Sequence, residues 1–246
     1  VERDTGDGDR DDRERGEKAF LAAYDPTAFD AVAVTVDVVL LGIIEGALCV
    51  LLLDRAEHPA KGRLALPGGF VRAGESLDAA AARVLADKAG LTRIFLEQLY
   101  TFGAPKRDPR MRVISVAYYA LVESRRFARS IAHAKTAHLR IDALAGRRLA
   151  FDHAEIVATA VTRIRGKLAY APIGYELLPS EFTLLDLQRV HECVAGRTIN
   201  KDSFRRKMLA TGLLEATGAM QENVGHRPAA LYRYVRSSAM LAPANP

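Results

Sequence analysis

Between Leu66 and Leu91 the chain runs Leu66-Pro67-Gly68-Gly69-Phe70, then Ser76, then an alanine-rich stretch to Ala89 that stops at Gly90. A proline followed by two glycines interrupts both helix and regular strand, because proline lacks the N–H and glycine loses most freedom on ordering. Ser76 predicts a helix start and Gly90 its end. A tight bend feeding straight into a helix needs a rigid support, and the flanking sequence supplies one. Residues 31–44 are rich in valine and leucine and predict a mostly buried strand. Glu45-Gly46 predicts a turn, and Ala47–Asp54 a second strand closing a hairpin. A loop follows at Glu57–Lys61, which contains Pro59. Thr92–Phe102 and Arg112–Val122 alternate like strands, and Ala154–Lys167 reads as a helix with Asp152 as its N-cap.

Composition narrows the class. A chain of 246 residues with 49% hydrophobic and 26% charged residues excludes low-complexity, collagen-like and disulfide-scaffold proteins. Cys49 and Cys193 are far apart, with no ligand-like histidine spacing beside them, and read as buried free thiols of a cytoplasmic protein. Apolar runs such as Val38 to Ile44 are far short of the ~18 residues a membrane helix needs. No basic-then-apolar leader opens the sequence. The net charge of +5 is unevenly spread: residues 1–18 carry eight acids against five bases, whereas residues 163–246 carry twelve bases against seven acids. The opening stretch is too polar to offset its chain entropy and reads as a disordered tail over residues 1–20. The basic excess at the other end favours a polyanionic partner.

Four regions follow: the tail to residue 20, an α/β domain over 21–168, a linker over 169–179 marked by Pro172, Gly174 and Pro179, and a C-terminal domain over 180–246. In the last region Thr183 caps a helix to about Ala195, with Asp186 three positions on as a capping-box partner. Leu184, Leu187, Val190 and Val194 repeat at helical spacing along it, and Gly196 ends it. Asn200 caps a second helix through about Ala210, with Gly212 beyond. Leu213–Thr217 and Ala230–Val235 read as short strands around the loop 218–227. Helix, turn, helix and a two-stranded ribbon is the order of a winged helix-turn-helix. Its second helix carries Asn200, Lys201, Ser203, Arg205, Arg206 and Lys207, a set suited to base edges and phosphates in a major groove. Arg227 at the ribbon tip faces the minor groove or backbone in this arrangement, while His226 is either a phosphate donor or an exposed turn residue. The bland alternative for the basic helix is a solvated surface.

The bend and helix carry a longer pattern: Gly69, five residues, Glu75, seven residues, Arg83, then Val84-Leu85-Ala86-Asp87-Lys88-Ala89-Gly90-Leu91. This resembles the Nudix box, G-x5-E-x7-R-E-U-x-E-E-x-G-U with U apolar, matched without a gap. The resemblance implies a Nudix α/β/α sandwich with a mixed sheet. In that family the glutamates after the arginine lie on one helix face and hold magnesium against a substrate diphosphate. Here those positions are Val84, Asp87 and Lys88. The scaffold positions survive while the metal triad is broken, so the expectation is no metal site and no catalytic residue, with Glu75 and Asp87 as weak candidates for one ion. Lys88 would repel a cation and attract a diphosphate. Glu75 and Arg83 are placed to pair across loop and helix, as the family's do. Lys106-Arg107-Asp108-Pro109-Arg110-Met111-Arg112 reads as a phosphate-facing loop, with Arg107, Arg110 and Arg112 as guanidinium forks. Phe70 either stacks on a base or packs in the core. The ligand-facing set is therefore Phe70, Glu75, Arg83, Lys88, Arg107, Arg110 and Arg112.

A broken Nudix box followed by Tyr170–Pro179, the helix 200–209 and Gly225-His226-Arg227-Pro228-Ala229-Ala230-Leu231-Tyr232-Arg233 is similar to the Nudix-related transcriptional regulators of bacterial NAD metabolism. The resemblance implies a non-enzymatic, dimeric repressor that binds a palindromic duplex near NAD biosynthesis genes. It also implies ADP-ribose or a related nucleotide as effector, with no required cofactor and no membrane partner. The second reading is a Nudix hydrolase acting on ADP-ribose with an appended regulatory domain. A third is a ligand-binding module whose winged helix holds proteins.

Overall fold

The computed structural model describes residues 6–133, 136–168, 171–222, 225 and 227–235. Chain contacts divide it into an N-terminal unit through Val32 and a second unit from Ala33 onward. In the first, Gly6–Ala23 form helix α1. This differs from the expected disordered tail. Arg13 and Glu17, and Glu14 and Lys18, are four residues apart, a spacing at which opposite charges support a helix without any buried face. From the last turn of α1 onward, the rings of Phe20, Tyr24 and Phe29 approach at 5.7 and 6.2 Å, so the unit makes its own small aromatic cluster.

The second unit is built on a seven-stranded mixed sheet. Strand β1 (Ala33–Ile44) and β2 (Ala47–Asp54) form the expected hairpin, with Glu45 and Gly46 both at positive φ, the geometry a two-residue turn requires. Strand β3 (Leu64–Ala65) pairs with β2, and β4 (Gly68–Phe70) pairs with the first half of β1. Strand β5 (Glu97–Phe102) lies at the edge against β6 (Val113–Leu121), and β6 runs parallel to β1 along nine residue pairs. Strand β7 (Thr136–Arg140) covers the other side of β2. Helices α2 (Leu77–Ala89), α3 (Ser124–Ile131) and α4 (His153–Lys167) complete this part.

Alternation along β1 explains the layers. Val36, Val38 and Leu40 face one core with Ala80, Ala81, Val84 and Leu85 of α2 and Phe127 of α3. Val39 and Leu41 face a second core with Ile156, Val157, Ala160 and Ile164 of α4. Both faces of the strand are covered, which is why its sequence is a continuous apolar run rather than an alternating one. The α/β/α sandwich with mixed sheet is therefore observed. Gly90, at φ 65°, donates its N–H to Ala86 and Leu85 carbonyls and stops α2 as expected. The predicted strand from Thr92 begins only at Glu97.

The C-terminal part is a winged helix. Helix α5 (Leu184–Ala195) begins at a complete Thr183/Asp186 capping box and ends at Gly196 in the left-handed conformation. Helix α6 (Lys201–Ala210) begins at Asn200, whose side chain accepts from the Ser203 N–H. Strands β8 (Leu214–Met220) and β9 (Ala230–Tyr234) form the ribbon, and Phe182 bridges to Tyr232 beside it. From Ala171 on, the stretch expected to be a linker is packed structure, while residues 169 and 170 lie outside the described residues. Ile173–Leu177 form a 3-10 turn, and Tyr175 stacks on Tyr234 at 4.2 Å. Leu184, Leu187, Val190, Val194, Phe204 and Met208 belong to the same buried cluster as α4. Prolines and a glycine mark a break in regular structure, not a break in packing.

Candidate effector pocket and nucleic-acid interface

The bend is held by sterics and by one ion pair. A Cβ on Gly68 would lie 2.1 Å from Asp37 Oδ1 and 3.0 Å from the Val36 carbonyl, so only glycine lets the bend lie against β1. From the far side of the loop, Glu75 receives Arg83 Nε at 3.0 Å and a second guanidinium nitrogen at 2.5 Å. Glu75 also accepts from the Arg72 N–H at 2.7 Å, and Arg83 donates to the Phe70 carbonyl at 3.0 Å. The Arg83 hydrogen bonds, with the Arg72 N–H, draw the Glu75 carboxyl down to about 2. The expected loop-to-helix pairing is thus present, and both side chains brace the bend.

Of the three metal positions on this helix only Asp87, which is exposed, keeps a carboxylate. Val84 is 2% exposed and packs among the α2 core residues, a burial that contributes about 1.5–3 kcal/mol. Lys88 is exposed in the last turn, where a cation suits the helix dipole. Glu75 is already engaged by Arg83. Among the described residues no group of three or more His, Cys, Asp or Glu side chains is placed to hold an ion.

The basic loop divides into different roles. Arg110 is anchored by Asp108 at 3.0 and 2.7 Å, and its guanidinium carbon lies 5.5 Å from the centre of the Phe70 ring, within cation–π range. That bond holds the Asp108 carboxyl below its usual range. Phe70 is 45% exposed and so is not packed in the core. Arg112 donates to the Gly103 carbonyl at 2.8 Å and closes the loop's base. Arg107 does not present a free fork: its side chain is 4% exposed, bonded to Asp152 at 2.8 and 2.6 Å, with Asp37 at 3.5 Å. Sequence spacing misses this because Asp37 and Asp152 are far from Arg107 in the chain.

Around Asp37 lies a polar cluster that sequence reasoning missed altogether. Ser115 Oγ donates to Asp37 Oδ2 at 2.5 Å. His153 Nδ1 accepts from the Leu66 N–H at 2.8 Å, leaving Nε2 to carry the proton toward Asp37 Oδ1 at 3.5 Å. Burial pushes the His153 pKa down, against the pull of Asp37. An acid in the middle of an apolar strand was the available signal, since a buried carboxylate requires partners. Beside this cluster Arg107 and Asp152 line a groove of about 540 Å³ with Ala104, Pro105, Lys106, Phe151 and Glu155.

On the winged helix, α6 is sharply two-sided. Phe204 and Met208 are buried, whereas Lys201, Ser203, Arg205, Arg206 and Lys207 are exposed. Phe204 meets the ring of His191 on α5 edge-on at 5.0 Å, which fixes the roll of α6 and turns its cations outward. Burial, with Lys207 nearby, draws His191 down to about 4. Asn200 is occupied as a helix cap through its oxygen. Arg227 is exposed, Arg233 pairs with Glu215 across the ribbon at 3.1 and 2.9 Å, and His226 lies outside the described residues.

Comparison with known proteins matches residues 32–160 to the NUDIX domain family and residues 174–234 to the NrtR DNA-binding winged helix domain. The chain is 35% identical over 221 residues to the "ADPR responsive transcriptional repressor NtrR" of Acinetobacter baylyi, covering 89% of this chain and 88% of that protein. Shewanella oneidensis NrtR in complex with a 27mer DNA superposes with a TM-score of 0.75 at 34% identity, over 82% of this chain and 93% of that one. The NUDIX domain of the same Shewanella protein with ADP ribose matches at a TM-score of 0.53 and 35% identity, over 60% of this chain and 98% of that one. With both domains matched in order and the relatives covered almost end to end, this chain belongs to the NrtR family of Nudix-related transcriptional regulators.

Proposed function

We propose that this chain is an ADP-ribose-responsive transcriptional repressor whose Nudix domain senses the nucleotide without cleaving it. The observation that carries the reading is α6: four cations and Ser203 on its exposed face, fixed there by Phe204 and Met208, attached to a Nudix domain in which two of the three metal positions are a buried valine and an exposed lysine. Helix α6 enters the major groove, with Asn200, Lys201 and Ser203 near base edges and Arg205, Arg206 and Lys207 toward phosphates. Arg227 follows the backbone from the ribbon. Two copies form a dimer and read a duplex with twofold symmetry. A repressor of the kind it is similar to works where the DNA is, in the cytoplasm.

In the sensor, Phe70 and Arg110 present an aromatic face and a cation side by side, suited to a nucleotide. Lys88, and Arg107 once it leaves Asp152, supply positive charge for a diphosphate, while Glu75, Arg83 and Arg112 shape the loops. No divalent ion takes part. To release DNA, ADP-ribose must bind the DNA-free arrangement more tightly than the DNA-bound one.

Binding of the native chain and of R205A/R206A to a duplex from its own upstream region, measured across salt concentrations, tests the interface. The double variant is expected to bind at least tenfold more weakly, with a salt slope shallower by roughly one unit for each phosphate that the arginines no longer neutralise. Unchanged affinity and slope would remove α6 from the interface.

A further inference from the structure

We infer that Asp152 is the switch residue through which the effector pocket acts on the DNA-binding domain, by exchanging Arg107 for the N-terminus of α4. The inference rests on the proposed ADP-ribose response and names its transmitting element.

Asp152 stands at the N-cap position of α4, yet its side chain makes no capping hydrogen bond. Both of its oxygens are taken by Arg107 instead. An N-cap carboxylate ordinarily accepts from the first-turn N–H groups and is favoured by the helix dipole. Main-chain carbonyls take the place of the side chain: His153 N–H donates to Ala150 at 3.1 Å and Glu155 N–H to Asp152 at 2.9 Å. The residue before it, Phe151, is held at φ 50°, a left-handed conformation that an aromatic residue rarely adopts. Asp152 itself sits at φ −97° and ψ 17° rather than in the extended cap geometry. Two adjacent residues are thus held away from their preferred conformations while Arg107 and Asp152 stay paired.

Both residues line the 540 Å³ groove, with the Arg107 side chain 4% and the Asp152 side chain 16% exposed, so a ligand meets the pair at the groove wall and must draw Arg107 out of it. A diphosphate carries more charge than the carboxylate and matches the guanidinium fork as well. Once it engages Arg107, Asp152 is free to turn back onto α4, and the Phe151–Asp152 backbone relaxes with it. The other end of α4 is fixed to the winged helix. Arg165 Nε donates to the Val194 carbonyl of α5 at 3.0 Å, and α4 and α5 share one buried core. A shift of α4 at Asp152 is therefore delivered to the helix that carries α6. His153, bonded to the Leu66 N–H of the bend and facing Asp37, ties the same turn to the Nudix box. The exchange gives α4 a second state beside the paired one, an element that both sites can bias.

The test is the coupling factor, which a purely structural role would leave unchanged. Operator affinity is measured with and without ADP-ribose, and ADP-ribose affinity with and without operator, for the native chain, D152S and D152N. Linkage makes the two ratios equal in each protein, and a functioning allosteric pair shows roughly 5–150-fold. Serine caps a helix well and cannot hold Arg107 as an ion pair, so D152S is expected to bind ADP-ribose and yet show a factor below about twofold. Asparagine keeps the size of the side chain and loses its charge, so D152N is expected to fall below half the native factor. Far-ultraviolet circular dichroism and melting confirm that each is folded. Native-like factors in both variants would overturn the inference and leave the ADP-ribose response standing. A native chain indifferent to ADP-ribose would overturn that response and this inference together.

Discussion

At Gly68 a single hydrogen stands between the bend and the carboxylate of Asp37. Replacement by alanine forces backbone or Asp37 to move, and G68A is expected to lose about 1–3 kcal/mol, the usual cost of overpacking, read as a lower denaturation midpoint in urea. Glu75 offers a pH test with a definite sign. Its folded pKa of about 2 lies below the ordinary glutamate value of about 4.3, so its stabilising effect is present above pH ~4.3 and lost as pH falls toward 2. The melting temperature of E75Q should lie below that of the native chain at pH 7, and the gap should close progressively between pH ~4.5 and ~2. A gap independent of pH would mean that the Arg83 pair contributes nothing through charge. The resemblance to the Nudix box pointed to Glu75 and Arg83, because loop and helix carry them a fixed number of residues apart. The same reading could not reveal that Arg107 is neutralised inside the protein: its partners come from β1 and from the start of α4, and only the folded sheet brings them together.

Among the elements, those with strong end signals were the ones legible in advance. Ser76 and Gly90 bound α2, and Thr183, Asp186 and Gly196 bound α5, where they were expected. Thr183 both accepts from the Asp186 N–H and holds its carboxylate, so T183A is expected to lower stability by about 0.5–2 kcal/mol in chemical denaturation, and to lower operator affinity only as far as α5 frays. Helix α3 escaped notice because in eight residues it offers only Phe127 and Ile131 as large apolar groups, too few to establish a period. Strand β7 has only Ala137 and Leu139 to mark its inward face. The end of α4 misled for another reason: Asp152 is the right residue in the right place for a cap, and a distant arginine takes its side chain.

At the scale of the whole molecule, the winged helix and the sheet share a core, so the two parts are packed together rather than joined by a flexible connector. That continuity was invisible in the sequence, where Pro172, Gly174 and Pro179 suggest a loose segment. It gives the sensor a direct mechanical route to α6. It also separates the two functional readings by experiment, since a hydrolase needs its metal and a repressor needs only differential binding. The decisive measurement is one titration of ADP-ribose with magnesium into the protein bound to a fluorescent duplex from its own upstream region, with anisotropy and released AMP followed in the same sample. The account predicts that anisotropy falls as the duplex is released while AMP stays at background. A protein that never held the duplex, and that produced AMP at the ~1 s⁻¹ or more of a working enzyme, would contradict it.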